Sequence, residues 1–381
     1  SLHERNILLE NGGDVIMCLI MAWTLPLPLG RRFSVDAARA PDLPDVTPVY
    51  SLAAPAVLLQ MVAIYLLNAI AKDGETWRDG SAVYYVLHQE RLVSGVGLFL
   101  REHAPYRMLT LFTWGTLATE FAAPLLLLLF LWQRHLRWLA MLSLWGLHFG
   151  LWLTTNLSLF QLTMLSIPLL FLDGDDWARL ESLVRGARQS VDVPLVEGRR
   201  LWQRWGGARS LLGTAVGEAW IVLLLIACGS QLLIENPSIA RRVHIQQPPS
   251  LQAVVEYGRL FQGWRMFAPD APVDDGVLVV DALTTTGEHI DPLTGLAPRF
   301  EVAPPGGRHP MQQNWCDYTG RIRQRGYAEY RPMLRDYLLR ARPDGAFIRS
   351  FDVWWVWRRT PPPGSSAATT ATGRDKVFSY P

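Results

Sequence analysis

Residues 109–132 read LTLFTWGTLATEFAAPLLLLLFLW, and the only charged side chain among them is Glu120. At ~1.5 Å per residue, a helix of this length crosses a ~30 Å hydrocarbon core. Glu120 stands near its middle, where a carboxylate must be protonated, paired or turned to a watery cavity.

Four more stretches share this character, at residues 13–29, 51–71, 138–172 and 211–234. The fourth in chain order, 138–172, is about two spans long and breaks at Thr154-Thr155-Asn156, which reads as a tight turn between antiparallel helices. The pattern predicts about six crossings and an all-α polytopic membrane bundle. Composition agrees, since half of the 381 residues are hydrophobic and 16 are Trp, clumped rather than spread periodically. The chain opens at Ser1 without an initiator Met, and the bundle, residues 1–235, is expected to be N-terminally incomplete.

Loop arginines set the expected orientation, because positive connections stay in the cytoplasm. The loop 133–137 carries Arg134 and Arg137, and 173–210 carries seven Arg. Both should be cytoplasmic, placing the Asn156 turn and everything after about Glu235 outside. Residues 81–100 are partly apolar but hold His88, Gln89, Glu90 and Arg91 at their centre, so an interfacial or re-entrant helix is expected there.

Beyond the last apolar run a small extracytoplasmic α+β domain is expected over 236–359. Residues 277–283 and 351–357 are β-prone, with Phe351, Val353, Trp355 and Trp357 at period 2. Residues 331–342 have helical spacing through Leu334, Tyr337 and Leu338. From Thr360 the Pro, Gly, Ser, Ala and Thr content predicts a disordered tail to 381.

A net charge of +2 and the lack of a basic stripe speak against a nucleic-acid partner. Cys18, Cys228 and Cys316 have no metal or redox spacing, and no metal site is predicted. Asp173-Gly-Asp175-Asp176 lacks the other ligands of a calcium loop and reads as a helix start. Phosphate-loop, nucleophile-elbow and zinc-protease motifs are absent.

The lysines are more informative. Of 36 basic residues only Lys72 and Lys376 are lysine, and Lys376 falls in the expected tail. Arginine stays charged near neutral pH, whereas a desolvated amine can become a base, so a site needing a neutral amine must keep Lys. The competing account is that Lys72 snorkels to the interface beside Asp73 and Glu75. His148, Trp152 and Asn156 follow at i, i+4 and i+8 and are expected to line one helix face. Glu120 and His148 lie at similar depth beneath the outer surface and are predicted neighbours below Lys72. Glu218 reads as a satisfied or snorkelling carboxylate.

Asn11-Gly-Gly-Asp14, Ser34-Val-Asp36, the run from Tyr65 through Asn68 and Lys72 to Trp77-Arg-Asp-Gly80, Glu120, His148 with Phe160, and Gln262-Gly-Trp264-Arg-Met266-Phe267-Ala-Pro269 together resemble the HTTM (horizontally transferred transmembrane) family, which is related to vitamin K-dependent gamma-carboxylases. The resemblance spans roughly residues 5–300. It implies a membrane bundle with an outward C-terminal domain and a lysine, here Lys72, that deprotonates reduced vitamin K ahead of glutamate carboxylation. The expected site is therefore Lys72 as base within a pocket of Tyr65, Asn68, Trp77, Glu120, His148, Trp152 and Asn156. The implied cofactor is a reduced, vitamin K-like quinone, and the partners are membrane lipid and a protein or peptide substrate. A lyase or quinone-oxidising activity contrasts with a non-catalytic membrane module whose outer domain binds a partner. A transporter ranks lowest, because no inverted repeat is visible.

Overall fold

The computed structural model describes residues 7–27, 29, 51–129, 133–157, 159–187, 211–302, 313–341, 345–365 and 371–381. Ser34-Val-Asp36 and most of the arginine-rich loop lie outside them.

Helix α1 (Gly12–Thr24) starts on a capping box: Asn11 Oδ1 accepts from the backbone of Gly13 and Asp14, and the Asp14 carboxylate accepts from Asn11 N. The box satisfies orphan donors of the first turn, which gives the Asn11-to-Asp14 motif a structural role. An added Cβ on Gly13 would lie 2.5 Å from the Phe160 backbone, so a glycine is needed where α1 crosses that helix.

Next come α2 (Ala53–Ala71), α3 (Glu75–Arg78), α4 (Ala82–Leu87), α5 (Gly95–His103), α6 (Tyr106–Leu129), α7 (Arg134–Thr154) and α8 (Leu159–Ser166), the last extended by a 3-10 turn over Ile167–Phe171. Then follow α9 (Gly174–Ala187), α10 (Leu211–Glu235), α11 (Pro237–Ala240) and α12 (Pro249–Gly258). Three helices are long and apolar enough to cross a membrane: α2, α6 and the 213–235 part of α10. At ~1.5 Å per residue, the 13-residue α1 reaches only about 20 Å, and Leu159–Phe171 is no longer. The six expected crossings thus reduce to three of full length among the described residues.

Burial ranks the three. The most apolar window of α2 is 56% buried, against 28% in α6 and 22% in α10, so α2 is the inner helix and the others turn apolar side chains such as Leu111, Leu125 and Ile226 outward. Leu19, Met61, Leu127, Leu144 and Leu224 meet in the bundle core. Glu218 of α10 accepts from Leu52 N and serves the start of α2. Asp173 caps α9 by accepting from Asp176 N, and both aspartates bind Arg137.

Residues 81–100 form two helices, α4 and α5, separated at 88–94. The Asn156 turn packs on this break, with Asn156 N donating to Leu92 O and Ser94 N to Thr154 O.

The second body is a four-stranded antiparallel sheet of β1 (Asp274–Thr284), β2 (His289–Ile290), β3 (Ile348–Arg359) and β4 (Thr372–Tyr380), in the order β2-β1-β3-β4. Helices α13 (Gln313–Ile322) and α14 (Arg331–Arg340) cover one face. Phe351, Val353 and Trp355 are buried, as their period-2 spacing predicts, and so are Leu334 and Leu338, but Tyr337 is exposed.

Three expectations need correction. The tail from Thr360 contains β4, which pairs with β3; its Pro, Gly and Ser content stops short of Arg374-Asp-Lys-Val-Phe-Ser-Tyr380, a Pro-free β-prone run. Lys376 therefore belongs to the sheet, bonded to Asp352 at 2.8 Å. The boundary at 236 does not separate two bodies, because Val255, Leu260 and Trp264 join the bundle core while Leu8, at the other end of the chain, joins the sheet core.

Candidate functional site

Tyr65, Asn68 and Lys72 fall at i, i+3 and i+7 on α2 and share one face. The backbone leaves the helix at Lys72 (φ −83°, ψ 56°), and the Lys72 amine meets Glu120 of α6, with Nζ 2.5 and 2.6 Å from the two carboxylate oxygens. The side chains of Lys72 and Glu120 are 3% and 8% exposed. Pro124 has no N–H to donate to the Glu120 carbonyl four residues back, so α6 is weakened at the turn that presents this carboxylate.

Burying two ions costs several kcal/mol each unless the remaining valences are filled. Here Asn68 Nδ2 donates to Glu120 Oε1 at 3.1 Å, and Lys72 Nζ stands 4.4 Å from the centre of a Trp77 ring. Lys72 lies one residue beyond the apolar helix. Burial pulls its pKa below the ordinary lysine value, and Glu120 offsets part of that shift.

The other wall is the segment after α12. Met266 N donates to Asn68 Oδ1 (2.7 Å), Trp77 Nε1 donates to Phe267 O (2.7 Å), and Gly74 N donates to Pro269 O (3.0 Å). Asp270 accepts from the backbone and hydroxyl of Thr76. The Gln262-to-Pro269 motif is thus the strap that closes the Lys72 end of the bundle.

One turn deeper on α2, the Tyr65 hydroxyl lies 2.7 Å from His148 Nε2. Which of the two carries the hydrogen follows from the imidazole tautomer. His148 is 3% exposed, and among the described residues Nδ1 has no partner. Phe160 packs edge-on to the ring at 5.9 Å between centroids.

Six of the expected residues, Tyr65, Asn68, Lys72, Trp77, Glu120 and His148, are brought together. Glu120 and His148 do not bond to each other; each binds α2 instead, at Asn68 and Lys72 or at Tyr65. Trp152 is 48% exposed and lies tilted against Phe149, with ring centroids 5.7 Å apart, and Asn156 is also exposed. A step of four residues turns a helix ~40° past a full rotation, which carries Trp152 off the His148 face, and Asn156 lies beyond the end of α7, after the extended Thr155 (φ −136°, ψ 159°).

Sequence reasoning missed a second polar network below the strap. Gln60 and Gln262, both buried, exchange hydrogen bonds at 2.8 and 3.1 Å. Trp23 donates to Gln60 and Trp264 to Gln262. Gln262 N meets Glu235 Oε2 at 2.5 Å, and Asn236 Nδ2 meets Gln262 O at 2.9 Å. The signal was Gln60, the one amide in the apolar run before Asn68.

Among the described residues, no three His, Cys, Asp or Glu side chains gather where they could hold a metal ion. Comparison with family models, curated proteins and solved structures finds no match for the chain.

Proposed function

We propose that this chain is a multi-pass membrane protein of the HTTM and vitamin K-dependent gamma-carboxylase-like class, in which Lys72 is a general base toward a lipid-soluble quinol. The sheet body faces outward. Three long apolar helices with outward-turned Leu, Ile, Phe and Trp side chains are consistent with a membrane environment. The loop arginines supply the orientation.

The observation that carries the reading is the buried Lys72–Glu120 pair, closed in by Asn68, Trp77 and the Met266 backbone. In a dry site its two protonation arrangements approach each other in energy. With the shared proton on Glu120, the Lys72 nitrogen is free to take the hydroxyl proton of a quinol, leaving the substrate anion beside an ammonium. In the tautomer that accepts from Tyr65 at Nε2, His148 carries an Nδ1–H that offers a donor to a substrate oxygen. Dioxygen is the oxidant that the resemblance implies, with or without coupled carboxylation of a protein or peptide.

A second reading has one observation in its favour: Lys72 engages both oxygens of Glu120, which is how a purely structural lock between α2 and α6 would look. That module would be non-catalytic, with the outer sheet binding a partner.

Lys72→Arg separates the two. In nanodiscs, with reduced quinone, dioxygen and bicarbonate supplied and a glutamate peptide tested separately, a base is lost in Arg and Ala alike, with a rate loss of ~10²–10⁴. If Lys72→Arg consumes quinol at the wild-type rate, the lock reading replaces the enzyme reading.

A further inference from the structure

Helix α5 is anchored along one face. Ser94 Oγ accepts from Gly97 N in the first turn and donates to Leu153 O at the end of α7, while Ser94 N donates to Thr154 O at 3.0 Å. Gly97 comes so close to that last turn that an added Cβ would lie 2.2 Å from Thr154 O. One turn on, Arg101 donates to Glu90 Oε1 at 3.0 Å. Gly97 and Arg101, at i and i+4, share the inward face.

The opposite face is apolar and open at its start. At ~100° per residue, Phe99 points away from Gly97, and Val96 and Phe99 are 46% and 59% exposed. Farther along the same face stand Glu102 and His103, both exposed, with the His103 ring stacked on Phe99 at 4.5 Å between centroids. The face therefore changes from apolar beside α7 to polar at the end that leads into α6.

Length and neighbours identify what covers it. The nine residues of α5 reach about 14 Å, less than half of a ~30 Å hydrocarbon core, so the helix cannot cross one. Its apolar end adjoins the last turns of α7, where Phe149 and Trp152 are also exposed, so the apolar surface of a bundle helix continues onto α5. A contiguous apolar surface of this kind marks a membrane or partner contact, and its continuity with α7 selects the membrane. Between Val96 and His103 the chain rises ~10 Å, comparable with the ~5–10 Å over which interfacial helices pass from acyl chains to headgroups.

We propose that α5 is an interfacial helix in the leaflet on the side of the sheet, with Val96 and Phe99 against phospholipid acyl chains and Glu102 and His103 among the headgroups. The proposal rests on the membrane reading of α6 and α7, and not on any role for Lys72.

The test is photo-crosslinking of the full chain in phosphatidylcholine nanodiscs, with p-benzoylphenylalanine placed singly at Val96, Phe99, Phe121 and Phe347. Phe121 is an exposed residue midway along α6, and Phe347 is an exposed residue at the end of the sheet opposite Asp275. All four are surface positions, and circular dichroism checks that each variant keeps its fold. Mass spectrometry should find phospholipid adducts on acyl carbons at Val96, Phe99 and Phe121, each at least about tenfold above the yield at Phe347. Lipid adducts at Phe121 with none at Val96 or Phe99 overturn the proposal and leave the membrane reading standing. Absence of adducts at Phe121 as well ends both. Adducts confined to headgroups at Val96 and Phe99 also overturn it, and so do chain-to-chain crosslinks in place of lipid ones, which would make this face a contact between copies.

Discussion

Removing the Glu120 carboxylate should be among the most damaging single changes in the bundle. In Glu120→Ala, the Lys72 ammonium stays 3% exposed and loses both oxygens at 2.5 and 2.6 Å. Trp77 remains as its neighbour, and a desolvated cation–π contact contributes about 2 kcal/mol. Asn68 Nδ2 loses its acceptor as well. Breaking one side of a buried pair costs ~3–5 kcal/mol, whereas replacing both partners by apolar groups of similar volume is often close to neutral. Lys72→Met with Glu120→Leu should therefore be more stable than either single substitution, with a coupling of at least ~2 kcal/mol. Denaturant unfolding in mixed micelles, followed by tryptophan fluorescence, measures all four corners of the cycle. A loss below about 1 kcal/mol in Glu120→Ala, or a double mutant whose loss is the sum of the singles, would refute the claim that this is a dry, mutually dependent pair.

Gly74→Ala should loosen the strap, because the new Cβ would sit 2.2–2.4 Å from the Asp270 carboxylate and force it off Thr76. A stability loss of ~1–3 kcal/mol is expected by thermal melting, and an unchanged melt would show that Asp270 yields freely. Asp291 is buried beside β1, and its carboxyl is pushed up to about 6 by burial. Its folded pKa exceeds the unfolded ~3.9, so the native state holds the proton to higher pH and stability falls as pH rises from about 4 to about 6. Asp291→Asn should flatten that limb of the Tm–pH curve, and an unaltered slope would assign it to other groups. Truncation before Thr372 removes β4, leaving β3 as a bare edge beside Phe351. Aggregation and a lower Tm should follow, and a soluble chain with wild-type Tm would count against β4 as part of the fold.

The long apolar runs were legible because hydrophobic length is a local property, and α2, α6 and α10 overlap three of them closely. The lone lysine of the helical part and the mid-run carboxylate were legible for a related reason, since each contradicts its surroundings. What failed depended on partners distant in sequence. Trp152 obeys helical spacing from His148 yet turns outward, because spacing gives a face only approximately. Thr372–Tyr380 looked like the end of a low-complexity tail because composition averaged over 22 residues hides a nine-residue strand. The Gln60–Gln262 contact joins positions 202 apart, a pairing that no local pattern encodes.

That long-range contact bears on how the molecule divides. Between Gln262 and Asp270 the chain runs along the end of the bundle and binds Gln60, Asn68, Trp77, Gly74 and Thr76 in turn. Only three residues then separate Asp270 from β1. At the same end of the sheet, Arg358 of β3, paired with Asp275 at the start of β1, shares Glu90 with Arg101 of α5, and Gln89 Nε2 donates to Pro272 O. The start of β1 and the end of β3 are therefore tethered to the helices, and the strap that leads into β1 also supplies the Met266 N–H that holds Asn68 beside Glu120. A cut at residue 236 would leave the helical part with an Asn68 amide free to rotate and a Lys72–Glu120 pair open to water. Water at that pair raises the local dielectric, keeps the amine fully charged, and removes the feature that distinguishes a base from an anchor. On this argument the helical fragment alone is the wrong object in which to test the proposed activity, because the strap after residue 236 closes the site.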